Sequence, residues 1–355
     1  MTDTEHQAHS GSRIASRVTS LRDVAELAGV SVSTASRVLS GSTHPVSDAA
    51  RRRVTAAAEQ LGFEPNRLAR ALATARSQTI GVVVHDVSDP YFAELIRGLE
   101  DVAGPRDHSL FVSSSDREPS KELSVVRAFV ASRVDAIVLA ASGLTDPGYL
   151  MEMSSLLSRY EENGGVVVAI AEQRYPDHRV AFDNAAATAS AVDHLVSLGH
   201  RRVGYLSGPT NLEVSARRYE GFLRGLETHG IPNDPKLVEC GWFSMEGGAR
   251  ATERLLDRAD PTALLAANDL MAIGALRVLR DSGVEVPEQI SVAGFDDIEF
   301  AAYAPVPLTT VRMPLAELGR AGAQMALDLL GGNQPASPRM VSSRLIVRHS
   351  TGPAP

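Results

Sequence analysis

A single cysteine, Cys240, occurs in the whole chain. It excludes an internal disulfide framework and any cysteine-cluster metal site, and it suits a reducing cytoplasm. Lysine is almost as scarce: Lys121 and Lys236 are the only two, so arginine carries nearly all the positive charge. No apolar run approaches the ~18 residues of a membrane span. The stretch from Met1 to Ser12 is polar and does not resemble a secretory leader. A cytoplasmic protein without membrane contact is the expectation. There is no Gly-x-Gly-x-x-Gly after the first strand, no P-loop and no Gly-x-Ser-x-Gly elbow. Scattered Asp, Arg and His residues make no catalytic constellation, and the histidines lack metal-ligand spacing. The chain is therefore not expected to be an enzyme, or to hold a metal or cofactor.

What is present is an ordinary globular composition. The 355 residues are 44% apolar and 22% charged, enough for two to three domains with a large core. The net charge of −8 is unevenly spread. Between Arg13 and Arg76, ten arginines face five acids, so this head carries +5 and the residues after it −11. A basic head on an acidic body calls for an anionic partner of the head alone.

Residues 1–18 form a polar tail expected to be disordered. From Thr19 the pattern turns helical. Ser20 is placed to cap a first helix with Asp23 in its first turn, and Leu21, Val24, Ala25 and Ala28 make its apolar face. Gly29 stops it in a tight turn, and Ser31 caps a second helix, Val32 to Leu39. Two helices of about eight residues joined this way have helix-turn-helix spacing. A third runs from Ser47 to Leu61, with Val54, Ala58 and Leu61 inward. The head is set at 19–65.

From Thr79 the period changes. Apolar strand-type runs are Ile80–Val84, Leu110–Val112, Ala136–Leu139, Val166–Ile170, Arg202–Leu206, Ala263–Ala266 and Ile290–Gly294. Helical segments alternate with them, among them Tyr91–Val102, Ser120–Ser132, Ala185–Leu198 and Ala216–His229. Continuous apolar strands between helices imply parallel sheets covered on both faces. About ten such units are too many for one compact sheet, so two lobes are expected.

The run Leu21-Arg22-Asp23-Val24-Ala25-Glu26-Leu27-Ala28-Gly29-Val30-Ser31-Val32-Ser33-Thr34-Ala35-Ser36-Arg37-Val38-Leu39 resembles the DNA-binding head of the lac repressor (LacI/GalR) family. Leu61-Gly62-Phe63-Glu64-Pro65-Asn66-Arg67-Leu68-Ala69 continues the resemblance, which covers almost the whole chain. Ala35, where the family more often has valine, is a departure that stays apolar. Val32 and Ser33 would meet base edges in the major groove, and Arg37 would fork onto guanine. Ser31, Thr34 and Ser36 read as phosphate ligands. The bland alternative is a three-helix protein-interaction module.

Within residues 66–78, set as hinge helix and linker, Asn66 to Thr74 is helix-capable but below the ~12 residues of an independent helix. The resemblance implies a hinge helix that orders in the minor groove against its dimer mate. Asn66 and Ala69 would lie at that contact, and Leu72 matches the family's wedge leucine, which parts a base step. The alternative is a plain linker with Leu72 tucked against the next domain.

The resemblance also implies a periplasmic-binding-protein-like α/β body over 79–355. One lobe would be about 79–178 plus 307–332, the other about 179–306 plus 333–350. The fold class is thus a small all-α helix-turn-helix head on a two-lobed α/β body with parallel sheets. A ligand would bind where strand C-terminal ends of both lobes face the cleft. Tyr91 and Phe92 follow the first strand and offer an aromatic wall. Arg218 sits where the family's ligand arginine commonly sits, with Arg217 a close competitor. Phe243 matches a stacking position beside Trp242, the only tryptophan. Asn268 and Asp296 follow their strands, while Asp269 and Asp297 read as helix caps. An arginine fork, an amide and a carboxylate together grip vicinal hydroxyls. After the fourth strand the family usually has an acidic residue; this chain reads Ala171-Glu172-Gln173-Arg174, so no ligand role is carried onto Glu172.

The resemblance therefore implies a ligand-responsive, sequence-specific transcriptional regulator. It would be a repressor, binding a pseudo-palindromic operator in double-stranded DNA as a homodimer, with a carbohydrate effector in the cleft. The alternatives are a purine or other polar metabolite as effector, or a sugar-binding protein without a DNA role. No leucine heptads follow the last strand, so no tetramer is expected.

Overall fold

The computed structural model describes residues 19–39, 44–63, 76–170 and 173–355. The expected tail at 1–18, the hinge positions Asn66, Ala69 and Leu72, and Glu172 lie outside the described residues. The chain divides into two units, residues 1–77 and 78–355.

In the first unit, α1 (Leu21–Ala28), α2 (Val32–Leu39) and α3 (Asp48–Gln60) follow the predicted pattern. Ser20 Oγ accepts from Asp23 N while the Asp23 carboxylate accepts from Ser20 N at 2.8 Å, a complete capping box. Gly29 ends α1 at φ 63°, a left-handed turn that costs glycine little. Ser31 Oγ accepts from Thr34 N at 3.1 Å and Ser47 Oγ from Ala50 N at 3.3 Å, which sets the starts of α2 and α3. The core is small: Val24, Ala25, Ala28, Ala35, Val38, Val54, Ala57 and Ala58. Leu21, Leu39 and Leu61, expected inside, are half-buried at its rim.

The second unit contains two six-stranded sheets. The first is ordered β11-β5-β4-β3-β1-β2 and is parallel throughout. Its strands are β1 (Thr79–Val84), β2 (Ser109–Ser114), β3 (Ala136–Leu139), β4 (Val166–Ile170), β5 (Arg179–Ala181) and β11 (Arg339–Met340). Every residue of β1 is buried, as a strand covered on both faces requires. The helices α4 (Pro90–Ala103), α5 (Pro119–Ala131) and α6 (Pro147–Glu162) each begin with proline, whose fixed φ suits the first helical position.

The second sheet is ordered β12-β10-β9-β8-β6-β7. Here β6 (Val203–Ser207), β7 (Val238–Cys240), β8 (Ala263–Ala266), β9 (Ser291–Asp296) and β10 (Thr309–Arg312) are parallel, and β12 (Arg344–Ile346) runs antiparallel to β10. The remaining helices are α7 (Asn184–Ser197), α8 (Glu213–Thr228), α9 (Met245–Leu256), α10 (Asp269–Asp281), α11 (Glu299–Tyr303) and α12 (Leu315–Leu330).

The lobe boundaries need correction against the expected 79–178 plus 307–332 and 179–306 plus 333–350. β5 pairs with β4, so the first crossing comes after Ala181. β10 pairs with β9 in the second sheet, so only α12 of the 307–332 segment returns to the first lobe. β11 then pairs with β5, which puts residues before β12 back in the first sheet. β5 (Arg179-Val180-Ala181), β10 (Thr309-Thr310-Val311-Arg312) and β11 (Arg339-Met340) have no continuous apolar run and cannot be assigned without their partners.

Glycines bring the crossing helices close to the lobes they cover. A Cβ on Gly98 of α4 would stand 2.1 Å from Ala316 O of α12, and one on Gly221 of α8 would stand 2.2 Å from Ala185 O of α7. Each lobe thus seats its crossing helix against a glycine.

Candidate functional site

In the first unit, α2 presents a polar edge. Ser31, Val32, Ser33, Ser36 and Arg37 are exposed and Thr34 is half-buried. Ser31 Oγ lies 2.9 Å from Ser33 Oγ and 2.8 Å from Thr34 Oγ1, so the three hydroxyls cluster at the helix start. Val32 is 44% exposed, an apolar side chain held out of the core. Arg22 on α1 and Arg51, Arg52 and Arg53 on α3 are also exposed. Backbone N–H groups at a helix start together with exposed cations suit phosphate, and a protruding hydroxyl and methyl pair suits base edges.

In the second unit, a cleft with a cavity volume of about 60 Å³ lies between the two sheets. It is walled by residues at strand C-terminal ends of both lobes. His85 follows β1, Ser142 follows β3, Phe182 and Asn184 follow β5, Phe243 follows β7, Asn268 follows β8 and Asp296 ends β9. The lobes meet beside it, where Val214 N donates to Ser142 Oγ at 3.0 Å and Glu213 N to Gly143 O at 2.9 Å.

All six positions expected there, Tyr91, Phe92, Arg218, Phe243, Asn268 and Asp296, line this cleft. Arg218 is 3% exposed. Its Nε donates to Asn184 Oδ1 at 3.0 Å and its Nη2 to Asp296 Oδ1 at 3.0 Å, while Nη1 donates to Ala267 O. The guanidinium lies 3.8 Å from the centroid of the Phe295 ring, so it is stacked as well as bonded. Its competitor Arg217 points outward and pairs with Glu220 at 3.0 Å.

Asp296 has a left-handed φ of 109°, and burial pushes its carboxyl up to about 7 even though Arg218 pulls it down. Asn268 Oδ1 caps α10 through Met271 N at 3.0 Å, and its Nδ2 donates to Phe243 O at 3.3 Å. Phe243 is held at φ 56° and its ring centroid lies 6.0 Å from the guanidinium carbons of both Arg117 and Arg218. Two successive left-handed residues, Trp242 and Phe243, send one aromatic inward and leave the other 63% exposed. Tyr91 and Phe92 meet edge to face at 4.9 Å. Asp269 is buried away from the cleft, accepting from Ile298 N at 2.9 Å and Thr310 Oγ1 at 2.5 Å. Asp297 pairs with Arg312 and with Arg348. Among the described residues no cluster of His, Cys, Asp and Glu is arranged to hold a metal, and no helix is long and apolar enough to cross a membrane.

The family model for bacterial regulatory proteins of the lacI family matches residues 20–66, and a periplasmic binding protein-like domain model matches 192–351. The transcriptional regulator GalS of Salmonella typhimurium is 38% identical over 313 residues, covering 88% of this chain and 90% of GalS. The chain belongs to the LacI/GalR family of transcriptional regulators. Among solved structures, a lac repressor dimer bound to operator and the anti-inducer ONPF is 28% identical with a TM-score of 0.84, over 94% of this chain and 99% of that one. A complex of the regulator CelR with cellobiose is 31% identical with a TM-score of 0.70 over the same shares.

The LacI-family head of this chain is a DNA-binding helix-turn-helix, and its body is a periplasmic-binding-protein-like effector domain. Its relatives are transcriptional regulators and not enzymes, as the missing catalytic motifs led us to expect. Sequence reasoning overlooked several residues of the cleft of this LacI-family regulator: His85, Asp89, Arg117, Ser142, Phe182, Asn184, Leu212 and Val214. The rule that pocket residues follow strands would have found His85, one residue past β1. Phe182 and Asn184 follow β5, which was too short to be seen.

Proposed function

We propose that this LacI-family regulator is a cytoplasmic, homodimeric repressor whose operator affinity is set by an uncharged carbohydrate in the cleft. The observation that carries the reading is the buried arginine–carboxylate pair of Arg218 and Asp296, set among the aromatic rings of Tyr91, Phe92 and Phe243. Alternating fork and carboxylate groups bond vicinal hydroxyls, and ring faces cover the C–H face of a sugar. The cellobiose carried by CelR supports the same class of ligand.

On the DNA side, Val32, Ser33 and Arg37 read base edges while Ser31, Thr34 and Ser36 hold phosphates. Two heads on a dimer read a pseudo-palindromic operator, and hinge segments containing Asn66, Ala69 and Leu72 enter the minor groove between them. The exposed Phe300 and Tyr303, 56% and 80% accessible, favour self-association of the body. Effector and operator then each alter the other's affinity, since coupling between binding sites is reciprocal.

A thermal-shift screen of sugars, sugar phosphates and nucleobases against the full chain tests this reading. A neutral sugar should raise the melting temperature and change operator affinity in a fluorescence anisotropy titration. Turnover of a sugar or nucleotide by the purified protein, or a response confined to nucleobases, would overturn it.

A further inference from the structure

Helix α8 is preceded by Leu212, whose side chain cannot cap it, whereas its neighbours α7 and α9 are capped by their own Asp183 and Ser244. The first lobe supplies the cap instead. Glu213 N donates to Gly143 O at 2.9 Å and Val214 N to Ser142 Oγ at 3.0 Å. Thr145 N donates in the other direction, to Asn211 O at 3.0 Å. Leu144 and Leu212 thereby form an antiparallel bridge between the lobes, and both are buried. Arg174, from the loop after β4, closes the same seam by donating from Nε to Glu213 Oε1 at 2.6 Å.

The chain does not cross between the lobes at this seam, so the lobes can part here without bending a covalent connection. Parting takes two N–H groups at the start of α8 from their acceptors and uncovers both leucines. Arg218 stands in the second turn of that same helix. The cleft beside the seam encloses about 60 Å³, against ~300–1,000 Å³ for sites that bury a small ligand. Ser142, Leu212 and Val214 form part of its wall. A sugar therefore enters only when the lobes separate along this wall.

We propose that residues 142–145 are an interlobe latch that caps α8 from the opposite lobe and holds the cleft shut, and that effector binding breaks it. The proposal rests on the reading of the cleft as the effector site. In it Ser142 is a positioning residue that acts through α8. The free protein is mostly latched, so the affinity measured is the intrinsic one reduced by the small unlatched fraction. Loosening the latch then tightens binding, the reverse of what the loss of a ligand contact does.

Calorimetric titration of the full chain with galactose, glucose, ribose and cellobiose selects the tightest binder among them. Ser142→Ala removes one acceptor from the latch and should bind that sugar about two- to tenfold more tightly. Arg174→Ala, at an exposed residue outside the cleft wall, should tighten binding by less. Weaker binding in Ser142→Ala makes that serine a ligand contact, which overturns the latch and leaves the effector reading standing. Deuterium exchange on the free wild type should find peptides holding Thr145, Glu213 and Val214 protected, and saturating sugar should speed their exchange. Fast exchange there without sugar, or exchange slowed by sugar, overturns the proposal. A locked seam is the converse. The bonds from Glu213 to Gly143 and from Thr145 to Asn211 flank Leu144 and Leu212, a pairing that sets Cα atoms about 4.5 Å apart, within disulfide range. Leu144→Cys with Leu212→Cys, made with Cys240→Ser to remove a competing thiol, should lose sugar affinity by about tenfold or more when oxidised and regain it on reduction. Equal affinity in the two states overturns the latch. No binding by any of these sugars at millimolar concentration, in the wild type and in Ser142→Ala alike, overturns the carbohydrate reading and this inference with it.

Discussion

Arg218 Nε donates to Asn184 Oδ1 at 3.0 Å, joining the buried cation of the cleft to the first residue of the helix that follows the first crossing between lobes. The guanidinium is therefore positioned from both ends: by Asn184 at the crossing and by Asp296 at the end of β9. A ligand that bonds Arg218 acts on a group already tied to the segment where the lobes join.

Removing this tie should cost stability as well as response. Arg218→Ala leaves Asp296 buried without its partner, and a loss of about 3 kcal/mol in urea unfolding is expected. Asn184→Ala removes the Oδ1 acceptor of Arg218 and should cost about 1–2 kcal/mol. In Asn184→Ala the melting-temperature rise caused by ligand should shrink. An unchanged shift would show that Asn184 does not hold Arg218 in its binding position.

Asp296 makes a pH prediction with a definite sign. Its carboxyl is raised from an ordinary 3.8 to about 7, first by burial, against the pull of Arg218. The folded state therefore holds a proton that the unfolded chain has released. The stability this group contributes is fully present below 3.8 and is lost as pH rises to about 7, at up to about 1.4 kcal/mol per pH unit. The lowered values of His85, His194 and His200 act in the opposite direction, so the wild-type curve alone does not isolate Asp296. Asp296→Asn does. From about pH 5 to pH 7 the wild type should lose stability relative to the variant, and the difference should level off above that. Parallel unfolding curves would contradict the assignment.

What was legible in the sequence was whatever is carried by local chemistry. The capping box of Ser20 and Asp23 and the left-handed stop at Gly29 are set by neighbours, and both stand where the sequence placed them. The long apolar strands were legible for the same reason, since burial on both faces leaves a continuous run, as in β1. Lobe membership was not. β5, β10 and β11 acquire a sheet only through partners distant in sequence. The cleft divides in the same way. Arg218, Asn268 and Asp296 sit after recognisable strands, whereas Arg117 enters through a left-handed turn with φ 62° after β2 and Asn184 through the crossing after β5. Choosing between Arg217 and Arg218 required knowing which face of α8 is inside.

The glycines beneath the crossing helices give a prediction about packing. Gly98→Val would drive a side chain into Ala316 O, and Gly221→Val into Ala185 O; both contacts are backbone and cannot rotate away. Each substitution should destabilise the body by about 2–3 kcal/mol. Gly104→Ala, where an added Cβ meets nothing within 4 Å, is the control and should leave the urea midpoint nearly unchanged. Equal effects at all three positions would mean that the close approach is not what the glycines serve.

The uneven charge predicts how this protein meets DNA. A net charge of −8 would ordinarily weaken binding to a polyanion, but residues 13–76 carry +5, against −2 before them and −11 after them. Operator affinity should therefore fall steeply and linearly in log–log form as salt is raised, because arginine–phosphate contacts release counterions. The −11 of residues 77–355 should repel DNA, so non-specific affinity is expected to be weak. Against that background two variants separate positioning from reading. Ser33→Ala should cost about 1–2 kcal/mol on the operator and relax base preference at one position in each half-site. Leu72→Ala should weaken operator binding much more than binding to random duplex, because a wedge acts only where the DNA is bent around it. Equal losses on both duplexes for Leu72→Ala would sink the wedge, and a flat salt dependence would remove the head's charge as the source of affinity.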